Sequence, residues 1–355
     1  MRRRALAALS GGVDSAYAAW SLVRSGDEVI GVHLVMGDFA GGDGVPRCCS
    51  TEDAADARRV ADFLGIPFYR VNAREDFKRE VLEPFAEAYA AGRTPNPCVW
   101  CNPGVKWRAL CRMAREVGAE AVATGHYARV VRGLSGPRLF SGRERKKEQS
   151  YFLSFLSPEQ LALAEFPVGE MQKSEVRAAV MAAGLPVAGK AESQDVCFVE
   201  PGGYAKTVEK LLPNPPPPGE IVDLEGRRLG GHRGVHHFTI GQRKGARVAA
   251  REPLYVVEID AERAQVILGP KEACYSERAK VAGLRWLSAP KPDERLTVKV
   301  RYRSPAVGCR LEWSGDGGEI IFDDPQRAVT PGQAAVFYRG DEVLGAGTLV
   351  LTKKR

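Results

Sequence analysis

No stretch of the 355-residue chain is long and apolar enough to span a bilayer, which excludes an integral helical membrane protein. Met1-Arg2-Arg3-Arg4 carries the charge of a secretory leader, but the apolar run behind it stops at Ser10, too short for a signal-peptide core. There is no internal repeat, and outside one proline run no low-complexity segment. The eight cysteines (48, 49, 98, 101, 111, 197, 274 and 309) do not suggest a disulfide framework in a chain without secretory features. Metal, redox or nucleophilic chemistry is the expected use. Only Cys98 and Cys101 have C-x-x-C spacing, and neither a second C-x-x-C nor a histidine ligand pair follows to complete an ordinary zinc site. What remains is a soluble, cytoplasmic type of composition, 44% hydrophobic and 27% charged, with no membrane partner. The chain is too long for one core, so two or three domains are expected.

Ser10-Gly11-Gly12-Val13-Asp14-Ser15 follows the apolar run Ala5 to Leu9 and opens a helical pattern. A buried strand that turns on small residues into a helix leaves unpaired N–H groups at the helix start, an anion site reinforced by the helix dipole. No Gly-Lys-Ser/Thr follows, so this is not a Walker loop. The pattern resembles the PP-loop of ATP pyrophosphatases, which split ATP into AMP and pyrophosphate to activate a substrate oxygen.

Further strands are expected at Glu28 to Val35, Pro67 to Ala73 and Ala121 to Thr124. Helices are expected at Thr51 to Leu64, Phe77 to Ala91, Val105 to Val117 and residues 171 to 184. Alternating βαβα with short apolar strands predicts an α/β fold, with a parallel sheet and ligands beyond the carboxyl ends of the strands. Both Ser10 to Ser15 and Thr124-Gly125-His126-Tyr127 would lie there. Prolines 213 and 215–218 read as a stiff linker, and the turn-punctuated short strands after it as a small β domain and a β-barrel. The expected division is a catalytic PP-loop domain over 1–195, a central β-rich domain over 196–270 with the linker at 213–218, and a C-terminal β-barrel over 271–355. The net charge of +7 suits a phosphate-rich partner without identifying one. Basic residues gather at 138–147 and, more loosely, at 227–251; each group reads equally as an RNA surface or a solvated face.

Thr94-Pro95-Asn96-Pro97-Cys98-Val99-Trp100-Cys101-Asn102 is the second informative stretch, and a third cysteine stands in Ser193-Gln194-Asp195-Val196-Cys197-Phe198. With these, T-G-H-Y-A-R, Q-S-Y-F-L, T-I-G-Q-R-K-G, Arg301-Tyr302-Arg303 and Pro331-Gly332-Gln333, nearly the whole chain resembles the tRNA-specific 2-thiouridylases. The resemblance implies that ATP adenylates the C2 oxygen of a tRNA wobble uridine and that a sulfur nucleophile then displaces AMP. Mg²⁺ and the loop amides would offset charge on the departing pyrophosphate. The base would leave the anticodon stack, at a cost of a few kcal/mol. Carried over by position, Ala8, Leu9, Ser10, Gly11, Gly12, Val13, Asp14 and Ser15 would hold the ATP phosphates, and Leu34 and Gly125 would line the adenosine pocket. Asn96, Pro97 and Cys98 would border the flipped base and His126 would touch the RNA beside it. Lys147, Glu148, Gln149, Arg301, Tyr302, Arg303, Ser304 and Gln333 would meet the RNA elsewhere.

One position departs from the family. The residue three before the first catalytic cysteine is usually Asp, a proposed base, and here it is Cys98, whose ordinary pKa near 8.5 suits that role less well. Two main readings follow. In one, Cys197 takes sulfur from a persulfide-carrying protein and Cys101 attacks or forms a disulfide to release it. In the other, Cys98, Cys101 and Cys197 hold a 4Fe–4S cluster at three irons, as some tRNA-thiolating relatives are thought to do, and the fourth iron stays open to sulfide. Structural zinc is the third use of such cysteines. A PP-loop ligase or amidotransferase, or a non-catalytic RNA-binding protein with a zinc knuckle, would leave the cysteines or the phosphate loop without a use. Cys48 and Cys49 follow a glycine-rich segment (37–44) expected to be mobile and are expected to be structural or incidental. Cys111, Cys274 and Cys309 read as small apolar residues.

Overall fold

The computed structural model describes residues 2–37, 51–134, 136–191, 196–199 and 203–351. Cys48, Cys49, most of the glycine-rich segment before them, and Ser193, Gln194 and Asp195 lie outside the described residues. The chain forms two compact units, Met1–Val81 with Cys98–Val199 and Asp341–Val343, and Leu82–Pro97 with Glu200–Gly340 and Leu344–Arg355.

The first unit is built on five parallel strands: β1 (Arg4–Ala8), β2 (Glu28–Val35), β3 (Phe68–Asn72), β4 (Ala121–Ala123) and β7 (Ala164–Glu165), in the order β3-β2-β1-β4-β7. The central strand is apolar on both faces, with Ala5, Leu6 and Ala7 fully buried, as a sheet covered on both sides requires. At the edge, β3 exposes Tyr69 and Arg70. Order reverses between β1 and β4, because β2 and β3 extend to one side and β4 and β7 to the other. That crevice is the topological switch point where open α/β sheets bind ligands. The Val13–Arg24 helix lays its Val13, Ala16, Ala19 and Leu22 face into the core with Val176 and Val180 of the Lys173–Ala182 helix.

Two expected helices are interrupted. Phe77 to Ala91 contains a wider turn at Lys78–Leu82 before the regular Glu83–Ala90 helix, and Val105 to Val117 becomes regular only at Arg108 after a similar segment, Asn102–Trp107. Pro84 and Pro103 sit at these sites, and a proline lacks the N–H that the preceding turn needs. The sequence reading places no strand at the hairpin of β5 (Ala128–Gly133) and β6 (Gly136–Ser141), of which only Arg138 is read there, as part of a basic group.

In the second unit, β8 (Gly219–Val222), β9 (Arg228–His232), β10 (Tyr255–Asp260) and β11 (Gln265–Gly269) form a small sheet over Ile221, Val256, Val266 and Leu268. Residues 212–218 carry no helix or strand, as the prolines require. Then β12 (Tyr275–Trp286), β13 (Leu296–Lys299), β14 (Val307–Ser314), β15 (Gly317–Arg327), β16 (Ala334–Arg339) and β17 (Glu342–Val350) form an antiparallel barrel, closed by β12 on β17 around Val298, Ile320, Phe337 and Leu344. Closure removes the sheet edges.

Charge inside the first unit is compensated locally. The Lys190 ammonium reaches Asp53 at 2.7 Å and also Asp56, both buried in the Thr51–Leu64 helix. Burial alone would lower the Lys190 pKa, but these two hydrogen bonds raise it above its ordinary value. Removing one partner of a buried pair leaves a desolvated charge behind. Lys190→Met is therefore expected to destabilise the protein by on the order of 3 kcal/mol, read as a lower urea midpoint with unchanged m-value. An unchanged midpoint would show the triad to be solvated.

Candidate nucleotide and sulfur site

The loop after β1 is held open toward the switch point. Gly12 caps the Val13–Arg24 helix without any side-chain hydrogen bond, so its first-turn amides are not consumed by a cap. Ser15 Oγ donates to the Gly12 carbonyl (2.9 Å) and accepts from the Ser10 amide (3.2 Å), which ties the loop into a ring. Gly11 has φ of +78°, and a Cβ there would stand 2.4 Å from the Asp53 carbonyl. From the other side Gly125, just past β4, packs on the loop so closely that a Cβ would lie 2.6 Å from the Asp14 carbonyl carbon and 2.7 Å from the Ser15 nitrogen. The structure thus brings Ser10 to Ser15 and Gly125 together. Ala8 ends β1, and Leu34 is buried on the neighbouring β2. Leu9 is fixed from both sides of its peptide: its amide donates to Val32 (2.8 Å), and its carbonyl accepts from His33 Nδ1 (2.8 Å). His33 is held neutral by burial, which pushes its pKa down.

Asp14 is the electrostatic centre of the loop. Its carboxylate accepts two hydrogen bonds from Lys173 Nζ, both 2.7 Å, and one from the Tyr127 hydroxyl at 2.8 Å. Sequence reasoning missed Lys173, which stands 159 residues from Asp14 with no motif around it, and gave Tyr127 only as part of a motif. Gln149 accepts from the Tyr127 amide (3.0 Å) and donates its own amide to the Tyr127 carbonyl (2.8 Å). Its side-chain oxygen is thus turned inward. Glu148 is buried and accepts from the Ser150 amide, and Lys147 is half-buried. His126 Nδ1 meets Thr124 Oγ1 at 2.8 Å, while burial and the Lys106 charge push its pKa down to about 3.

Cys98 and Cys101 lie on the Pro97–Cys101 helix, three residues apart and so on one face. Cys98 is half-buried, and the Asn102 side chain donates to its carbonyl (3.0 Å). Cys101 is buried with its sulfur 3.9 Å from that of Met36, just past the carboxyl end of β2. Cys197 is half-buried, and the next residue, Phe198, packs edge-on against Phe77 at 5.7 Å. Phe77 ends a helix packed on the segment that follows Cys101, so the two cysteine stretches share a neighbour. Among the remaining described cysteines, Cys111 and Cys309 are buried, which raises their pKa to about 11 and about 12, and Cys274 is buried too.

In the second unit, Gln333 is buried and its amide nitrogen donates to the Thr94 carbonyl (2.8 Å), so it holds the irregular segment that leads to Asn96 and Pro97. Arg301 donates to the Ala328 carbonyl (2.7 Å) and, with Thr239, Gln242 and Arg327, lines a groove of about 450 Å³. Ser304 closes the turn on Arg301 (2.8 Å), Tyr302 is half-buried and Arg303 is exposed. Several expected basic residues are paired internally: Arg138 with Glu342, Arg145 with Asp341, Arg227 with Asp223.

Gly125→Ala is expected to lower nucleotide affinity at least about tenfold, because loop backbone rather than a side chain would have to yield; unaltered affinity in a nucleotide titration would show that the loop can shift. The folded-state pKa of His126 lies below its ordinary 6.5, so the unfolded chain takes up the proton first. Its contribution to stability is present above pH 6.5 and is lost as pH falls toward 3. His126→Gln should therefore lose less stability than the parent between pH 7 and pH 5 in urea unfolding; equal losses would contradict a neutral, buried imidazole.

Residues 3–201 match the family model described as the tRNA methyl transferase HUP domain, 205–270 the tRNA methyl transferase PRC-barrel domain, and 276–349 the aminomethyltransferase beta-barrel domain. Three relatives carry the name tRNA-specific 2-thiouridylase MnmA. The protein of Geobacter metallireducens is 46% identical over 354 residues, covering 98% of this chain and 96% of its own. That of Geotalea uraniireducens is 45% identical (98% and 94%), and that of Rhodospirillum centenum 44% identical (98% and 91%).

Proposed function

The chain belongs to the tRNA-specific 2-thiouridylase family and carries out ATP-dependent thiolation of tRNA; from this premise we propose how its own residues perform the reaction. The reading rests on one observation, the glycine loop at the β1/β4 switch point with Gly125 pressed against it. ATP binds there with its phosphates on the first-turn amides, with Leu34 and Gly125 beside the adenosine and Mg²⁺ on the phosphates. The wobble-uridine C2 oxygen attacks the α-phosphorus and pyrophosphate leaves. Lys173 holds Asp14 in the loop and offers a cation beside the leaving group. Sulfur then adds to C2, and AMP departs with the original oxygen. Asn96, Pro97 and Cys98 border the flipped base and His126, neutral, lies next to it. On this reading Arg301, Tyr302, Arg303 and Ser304 contact RNA directly with Lys147, whereas Gln149, Glu148 and Gln333 act by positioning backbone. We infer a cytoplasmic location, in keeping with a reaction on tRNA.

The thiols Cys98, Cys101 and Cys197 fit a 4Fe–4S cluster: Cys98 and Cys101 share one helix face, and their stretch and that of Cys197 have Phe77 as a common neighbour. Three thiolates leave one iron exchangeable, so the bound cluster would supply a place for inorganic sulfide. The same thiols allow a persulfide on Cys197, with Cys101 as the second thiol and a persulfide-carrying protein as donor. Cys98 stands where a carboxylate base is usual, and that favours the cluster.

Asp14→Asn and Lys173→Met are expected to abolish tRNA-dependent pyrophosphate release while tRNA binding stays largely unchanged; the opposite pattern would remove the loop from the reaction. Cys101→Ser should still release pyrophosphate but yield no 2-thiouridine by mass spectrometry of digested tRNA. Protein prepared without oxygen should be brown with about four irons per chain, and Cys98→Ala should lose colour and activity together. A fully active iron-free protein would falsify the cluster and leave the family assignment intact.

A further inference from the structure

Three histidines in Gly231-His232-Arg233-Gly234-Val235-His236-His237 differ in what their rings do. His232 is saturated: its Nε2 meets the Ala264 carbonyl at 3.0 Å and its Nδ1 accepts from the Gly234 amide at 3.0 Å. His236 and His237 instead turn their Nε2 atoms to one oxygen, Oε1 of Glu209 on the Tyr204–Leu211 helix, each at 3.3 Å. Their rings lie 4.4 Å apart, and all three ligand-type atoms fall within 4.8 Å of one another. We propose that Glu209, His236 and His237 form a three-ligand site for a zinc-class divalent cation, separate from the cysteines.

The geometry carries the inference in three ways. Tetrahedral zinc with bonds of about 2.0–2.1 Å sets its ligand atoms about 3.3 Å apart, the separation of both nitrogens from Oε1. The His237 Nε2 is buried and makes no hydrogen bond despite its nearness to Glu209, because the two are not aligned for one. A cation between them satisfies that nitrogen without requiring the alignment. The His236 side chain is 1% exposed, and its ring lies over Gly234 in the space that a Cβ there would need, with Cε1 at 2.4 Å from that position. Glu209 is 43% exposed, so the fourth position opens to water and the ion can exchange.

Bound there, the cation would tie the Tyr204–Leu211 helix to the turn that leads into Thr239-Ile240-Gly241-Gln242. The test is calorimetric titration of Zn²⁺ into the full chain after chelator treatment, with Cys98, Cys101 and Cys197 changed to Ser. One equivalent is expected, together with a higher melting temperature. Adding Glu209→Gln or His237→Ala should weaken binding at least about tenfold and remove the thermal shift, since each deletes one of three ligands. Undiminished binding in both, or no binding in the parent, overturns the proposal. If the triple serine variant fails to fold, the same titration on the unaltered chain decides: His237→Ala must lower the Zn²⁺ stoichiometry by one, and an unchanged stoichiometry counts against the site.

Discussion

Two backbones approach the Ser10–Ser15 loop so closely that no side chain fits between them. Gly11 abuts the carbonyl of Asp53 and Gly125 abuts the peptide between Asp14 and Ser15. Everything the first unit does follows from that double contact. It sets the direction of the first-turn amides, fixes where Asp14 emerges, and requires the Thr51–Leu64 helix and the segment after β4 to be in place before the loop has a defined shape. Packed interiors resist small displacements, so a loop clamped in this way presents its N–H groups without reorganising when an anion arrives.

The clamp is itself held by charge. Lys190 joins Asp53 and Asp56 on one side of the loop, and Lys173 joins Asp14 on the other. Both lysines come from segments far along the chain, so the loop has its full set of partners only after residues 173–190 have packed. The two ion pairs differ in consequence. The Lys190 triad serves the position of a helix, whereas Asp14 and Lys173 stand at the loop itself. That difference separates a structural role from a chemical one at the same kind of contact.

The cysteines show the same economy of support. Cys101 is buried against Met36 while Cys98 and Cys197 are half-buried. In the second unit, Gln333 grips the Thr94 carbonyl at the start of the proline-stiffened stretch over 94–97. Expected to contact RNA from its motif, Gln333 is buried here, and a buried amide group must find a partner, which it has in the Thr94 carbonyl.

The alternation of apolar strands and helices, the glycine loop, the C-x-x-C and the proline run were all legible in the sequence, because each depends on residues adjacent in the chain. Local chemistry, such as a proline without an N–H or a glycine that can adopt positive φ, acts over a few positions and leaves a pattern that can be read. The switch point between β1 and β4, the pairing of Asp14 with Lys173, the inward turn of Gln149 and the meeting of Glu209 with His236 and His237 were decided only by the tertiary structure. They join residues 22 to 159 positions apart or depend on strand order, and nothing in the intervening sequence encodes such a distance. Sheet order and burial bring those groups together, and desolvation then makes each find its partner.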